Sequence, residues 1–189
     1  DHDGLPEIVV GTEDSRLFVL NGGNLSIEQS YSGNNGKIRT LIGADITGDG
    51  FPEIITGDTL GHITIVEGPT LRSFVDKFYD FGPYGLSVID QGPDKLAKLL
   101  VGNSNGVVRV LGLPDLDILN ISKDLGQEVW GLVQADVDGD GSEEILAGTG
   151  DGKLYALNLT DLSVKWVATL GEWIGTRNSI VVQDLDTDG

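Results

Sequence analysis

Apolar runs of about four to eight residues, rich in Val, Ile and Leu, alternate along the whole chain with clusters of Gly, Asn and Asp. Runs at 7–11, 16–20 and 38–44 are followed by 53–57, 62–67 and 71–78, then by 98–102, 107–111 and 116–121, then by 144–148, 153–157 and 162–169. Each has the length of a strand and carries the β-branched residues that suit a pleated, half-buried surface. Residues 25–31 alternate weakly and read as an outer strand. Residues 84–89, 129–135 and 176–183 read as the strands that lead from one unit into the next. No segment holds a 3.6-residue period for about ten residues, so almost no helix is expected. Corners such as Asn105-Gly106 and Asp151-Gly152 supply the positive φ that tight hairpins require.

Glycines set a period on this pattern. Gly11, Gly57, Gly102 and Gly148 are 46, 45 and 46 residues apart. A period of that size belongs to a stacked or radial repeat, and four strands in about 46 residues make one β-propeller blade. The expected fold is therefore all-β, a β-propeller of four-stranded antiparallel blades. The repeats fall at approximately 1–44, 45–89, 90–135 and 136–183, with a fifth loop begun at 184–189. One blade cannot cover both of its own faces, so neighbours must pack on it. The chain is then either a closed ring of four blades or an excerpt of a larger propeller or array.

The loop that opens the fourth repeat carries the chemistry. Residues 136–144 read DVDGDGSEE. Asp136, Asp138 and Asp140, at positions one, three and five, aim carboxylates at one point; Ser142 at position seven can add its backbone carbonyl, and Glu144 at position nine closes the shell. A set of hard oxygens in this number suits Ca²⁺, which takes about six to eight of them. Without a cation, four carboxylates this close repel one another and raise one another's pKa values. The same frame returns as Asp45, Thr47, Asp49, Phe51 (backbone carbonyl) and Glu53, with a threonine in place of the second aspartate. Asp184, Asp186 and Asp188 begin a further copy, and Asp1, Asp3 and Glu7 are the later part of one. Residues 186–189 (DTDG) match residues 1–4 (DHDG) position for position. The half-loops are expected to combine within a ring, or to continue into the next copy of an array or filament. A degenerate copy with Asp90 and Asp94 has Lys98 in place of the closing acid, and no metal is expected there.

Composition agrees with a cation-binding chain. The 189 residues include 30 acidic and 12 basic side chains, a formal charge of −18. Nucleic acid and anionic membrane need a positive face, so neither is an expected partner. No apolar run approaches the length of a membrane span, so no membrane insertion is expected. There is no cysteine, and with it no disulfide framework or thiol chemistry.

The pattern D-x-D-x-D-G-x-x-E-I-x-x-G followed by a G-x-L hairpin resembles the FG-GAP/VCBS repeat family of β-propellers, which includes the integrin α-subunit propeller. The residues that carry it lie at 136–148, 45–57, 3–11 and 184–189. The resemblance implies bound Ca²⁺ that stiffens the blade, held by the side chains of Asp136, Asp138, Asp140 and Glu144 and of Asp45, Thr47, Asp49 and Glu53. The literal Gly-Ala-Pro signature is missing. An EF-hand is disfavoured, because its twelfth loop position should be Glu and here it is Ala147 or Thr56, with a strand following. Residues 152–158 (GKLYALN), with Trp166 eight residues on, are similar to the blade motif of quinoprotein-type propellers, but the motif appears clearly once and reads as shared propeller logic.

Other chemistry is thinly represented. His2 and His62 have no Ser or Cys near them in sequence that would suggest a triad, and are read as structural or exposed. Trp130, Trp166 and Trp173 could stack on sugar rings, but large aromatics in strands more often form blade-to-blade core. Asn24, Asn120 and Asn158 head N-glycosylation sequons, a mild excess that favours a secreted or surface glycoprotein, with Asn24 and Asn158 placed in turns. The expected role is that of a non-enzymatic, calcium-stabilised propeller, extracellular or at the cell surface, that binds a protein or glycan ligand in adhesion or assembly. Two alternatives stand beside it: the repeat unit of a self-assembling filament or homo-oligomer, and the propeller part of a secreted polysaccharide lyase or hydrolase.

Overall fold

A computed structural model describes residues 5–89, 97–174 and 179–183. Among them every regular element is a strand and none is a helix, as the periodicity predicts. No helix among the described residues is long and apolar enough to cross a membrane. The chain divides into two compact units, one of residues 1–83 with 113–116, the other of residues 84–112 with 117–189.

The first unit holds two antiparallel sheets. One has three strands in the order β1 (Ile8–Gly11), β2 (Leu17–Leu20) and β3 (Ile27–Tyr31). The other runs β4 (Ile38–Ala44), β5 (Glu53–Asp58), β6 (His62–Val66) and β7 (Ser73–Phe78). The second unit repeats the four-stranded meander twice. Its sheets are β8 (Pro83–Ile89), β9 (Lys98–Asn103), β10 (Val108–Gly112) and β11 (Asp117–Ile121), then β12 (Val129–Ala135), β13 (Glu144–Thr149), β14 (Lys153–Asn158) and β15 (Val164–Thr169). Each sheet is open. The strand expected over 176–183 is not formed in residues 179–183, and residues 176–178 lie outside the described ones.

Burial follows position within the meander. Every residue of β5 and of β13 is buried, which requires cover on both faces of the sheet. The outer strands β7, β11 and β15 are mostly exposed. In the first unit the core joins Leu17 and Val19 of one sheet to Ile54 and Val66 of the other. In the second unit Leu100, Val108 and Val110 meet Ile145, Ala147 and Leu157.

The glycines that set the period lie where the following segment packs against the sheet. A Cβ on Gly11 would come within 2.6 Å of Ile38 Cγ2, and one on Gly148 within 2.7 Å of Ile174 Cγ2. On Gly102 it would lie 2.8 Å from both the Cγ1 and the backbone oxygen of Val129, a carbonyl that cannot swing aside. Gly102→Ala is therefore expected to cost about 1–3 kcal/mol as an overpacking change. Urea denaturation measures it, and a variant as stable as the parent would show that the glycine marks the period for some other reason.

The residue after each period glycine pins the next hairpin. Thr12 Oγ1 accepts from Arg16 N and donates to Arg16 O. Asp58 Oδ1 accepts from Leu60 N and His62 N, Asn103 Oδ1 from Asn105 N and Val107 N, and Thr149 Oγ1 donates to Lys153 O. Asp58, Asn103 and Thr149 are buried, so these bonds satisfy polar groups that water does not reach.

The second hairpin of each repeat departs from expectation. Leu25, Leu71, Leu116 and Leu162 read as the first residues of the outer strands, yet they have φ of +62°, +50°, +59° and +59° and the strands begin one or two residues later. Each is a non-glycine residue in the left-handed region, where the Cβ is crowded. Leu25, Leu71 and Leu162 donate their N–H to the oxygen four residues back, at 2.9, 2.8 and 2.9 Å. Leu71, Leu116 and Leu162 are buried, and that burial offsets the strained backbone; Leu25 is exposed.

Candidate metal centre

The two intact acidic loops occupy the same place in two sheets. One joins β4 to β5, whose last and first residues pair as Ala44 and Glu53; the other joins β12 to β13, with Ala135 paired to Glu144. The first aspartate organises each loop. Asp45 Oδ1 accepts from Gly48 N at 2.7 Å and Oδ2 from Gly50 N at 2.9 Å; Asp136 accepts from Gly139 N at 2.8 Å and from Gly141 N at 2.9 Å. Those four glycines have φ of +79°, +89°, +72° and +85° with open space where a Cβ would stand, so the conformation rather than crowding demands glycine. Asp49 Oδ1 accepts from Phe51 N and Asp140 Oδ1 from Ser142 N, each at 2.8 Å. The closing glutamates reach back into the loop, Glu53 to Ile46 N at 3.0 Å and Glu144 to Val137 N at 3.3 Å.

Burial separates these acids. Glu53 and Glu144, which open the fully buried strands β5 and β13, are 1% exposed, while Asp45, Asp49, Asp136, Asp138 and Asp140 are exposed. The N–H groups of Gly48 and Gly50 hold Asp45 below its ordinary pKa, and the N–H of Ser142, then Lys165, do the same for Asp140. Burial pushes Glu53 up, and the Asp49 and Asp45 carboxylates add to that rise against the Ile46 N–H. One carboxylate oxygen each from Asp136, Asp138 and Glu144 lies within 4.8 Å of the others. A positive group already sits among them: Lys165 Nζ donates to Asp138 Oδ2 at 2.6 Å and to Glu144 Oε1 at 2.7 Å, and lies 3.4 Å from Asp140 Oδ2. The donor set is thus all hard oxygen, negative, and arranged around a cation, which fits Ca²⁺. Lys165 was not legible as part of this site in the sequence.

The remaining candidates are dispersed. Thr47, Phe51 and Ser142 hold exposed positions in the loops, and Glu7 is exposed just before β1. Asp1, Asp3, Asp184, Asp186 and Asp188 lie outside the described residues, as do His2, Asp90 and Asp94; Lys98 opens β9. His62 Nδ1 is 2.8 Å from Asp76 Oδ1 and 3.2 Å from Asn35 Nδ2.

Trp166 and Trp173 are not the core that tryptophans in strands were expected to form. Trp166 lies on the outer strand β15, beyond which no further strand pairs among the described residues, and Trp173 follows that strand. Trp130 is half-buried, stacks on Tyr84 with 4.2 Å between ring centres, and meets Trp173 edge-on at 5.9 Å. Of the sequons, Asn24 is exposed in a turn. Asn120 is half-buried in β11, and Asn158 is the last residue of β14 rather than a turn residue.

No curated protein matches the chain. Among solved structures it resembles the computationally designed Ika8 protein, with a TM-score of 0.73 and 15% identity over 94% of this chain and 50% of that one. It also resembles BBS1N, from a crystal of BBS1N in complex with ARL6DN, with a TM-score of 0.74 and 18% identity over 91% of this chain and 55% of that one. The chain thus spans about half the length of these structures, and at such identities the likeness concerns the fold alone. Residues 1–56 match the model of the FG-GAP-like repeat, a span that contains the Asp45 loop and the first four residues of the strand after it. The chain therefore carries an FG-GAP-like repeat, the family that its acidic loops resemble.

Proposed function

We propose that this chain is a calcium-stabilised β-propeller, or a part of one, that serves as a non-enzymatic binding module in extracellular adhesion or assembly. The observation that carries the reading is the pair of matching loops. Each holds a first aspartate by two backbone N–H groups and ends in a glutamate buried at the root of an inner strand. Two buried carboxylates beside exposed ones are unfavourable in isolation, and a divalent cation at each loop turns that repulsion into cohesion between the loop and the strand it precedes. The surplus of 18 negative charges supports the same reading. A protein or glycan is the proposed partner, and closure of the sheets into a propeller belongs to the proposal.

Calcium stoichiometry tests it. Native mass spectrometry and titration calorimetry on the full chain should find at least two bound ions, one lost in Asp45→Asn and another in Asp136→Asn. A chain that binds no calcium at millimolar concentration would overturn the reading.

A further inference from the structure

The outer strand of every sheet contains an irregularity at the same register. Partners step from Gln29 to Ile27 in β3, from Val75 to Ser73 in β7, from Asn120 to Ile118 in β11 and from Trp166 to Val164 in β15. The skipped residues are Glu28, Phe74, Leu119 and Lys165. A bulge re-aims the side chain of its extra residue. In the fourth repeat it brings the Lys165 ammonium to Asp138, Asp140 and Glu144, with the lysine side chain 26% exposed. In the second repeat the equivalent residue is Phe74, 46% exposed. Among the described residues no lysine or arginine pairs with Asp45, Asp49 or Glu53.

We infer that Lys165 is a built-in counter-ion of the Asp136 loop, which a calcium ion must displace, and that the bulge residue thereby sets the rank of the two loops: Asp45 binds calcium more tightly and Asp136 more weakly. The inference rests on the calcium reading. Both loops offer a first aspartate and a buried glutamate in the same geometry, and the Asp136 loop has the extra carboxylate at Asp138 where the other has Thr47. Counting acids alone would rank the loops the other way. The lysine reverses that order by occupying Asp138 and Glu144, whose oxygens the ion needs, and by leaving a positive charge close by after displacement. Losing two charge-assisted hydrogen bonds to a substituting ion corresponds to about tenfold or more in affinity.

The test uses the full chain and calcium itself, with Asp45→Asn and Asp136→Asn as backgrounds that each leave one loop intact. In the Asp45→Asn background, Lys165→Met should bind calcium about tenfold or more tighter than its parent. In the Asp136→Asn background, Phe74→Lys should bind about tenfold more weakly. In EDTA at low salt, Lys165→Met should melt below the parent, with the gap narrowing at high salt. If the single-loop backgrounds bind calcium and Lys165→Met leaves the affinity of the Asp136 loop unchanged, the lysine is only a surface contact and the inference falls. If neither background nor the parent binds calcium, the reading on which it rests falls instead, and the two failures are distinct.

Discussion

Chelating calcium is expected to lower the melting temperature of this chain by about 10–20 °C. Each competent loop, with calcium at about 100 times its Kd, adds about 2.7 kcal/mol if only the folded state binds. Two loops give about 5 kcal/mol, and a domain of this size shifts by about 2–4 °C for each kcal/mol. The site geometry explains why the unfolded chain should bind poorly. The oxygens converge because backbone N–H groups of Gly48, Gly50, Gly139 and Gly141 hold the first aspartates, and because Glu53 and Glu144 are anchored at strand ends. An unfolded loop has neither restraint. Scanning calorimetry with calcium and with EDTA measures the shift, and the Asp45→Asn, Asp136→Asn double variant supplies the reference, which should melt at the same temperature in both. A wild-type chain that melts identically with and without chelator would remove calcium from the account of its stability.

Leu162→Ala costs about 2–5 kcal/mol, the range for emptying a fully packed leucine site. Leu162 is 1% exposed and packs in the cluster that contains Ile145, Ala147 and Leu157. Its backbone has a φ of +59°, a strain of about 1–2 kcal/mol for a residue with a Cβ. The repeat tolerates this because the turn aims the leucine into the core. Leu25 separates the two contributions, since it has the same backbone at φ +62° but is 63% exposed. Leu25→Gly should be neutral or mildly stabilising through relief of strain, whereas Leu162→Gly should lose most of what the alanine variant loses. Urea denaturation of the four variants measures this. If Leu162→Ala costs no more than Leu25→Ala, burial does not hold the left-handed leucine in place.

What could be read from the sequence was local. The strand runs, the period glycines and the acidic loops each announce themselves within about ten residues, through apolar alternation or through turn chemistry that only Gly, Asn and Asp supply. The glycine period was visible without its reason, which is the closeness of Ile38 and Val129 in the neighbouring sheets and of Ile174 after the last strand. The left-handed leucines were read as strand because leucine has no turn signature of its own; packing overrides local preference at Leu71, Leu116 and Leu162. Lys165 was hidden by distance, being 27 residues from Asp138 and 21 from Glu144, and only the bulge in β15 brings them together. Trp166 and Trp173 look like core in a one-dimensional pattern, which does not reveal that β15 ends its sheet.

That β3, β7, β11 and β15 each end a sheet has a consequence for handling the protein in solution. An end strand presents unpaired backbone groups on its far side, and here several also show apolar side chains, among them Phe78, Leu119 and Val167. Colloidal repulsion from 18 surplus negative charges keeps such borders on different molecules apart. Two bound calcium ions would neutralise four of those charges. A cation that tightened each molecule would therefore also lower the barrier between molecules, and the solubility of the chain should decline as the loops fill.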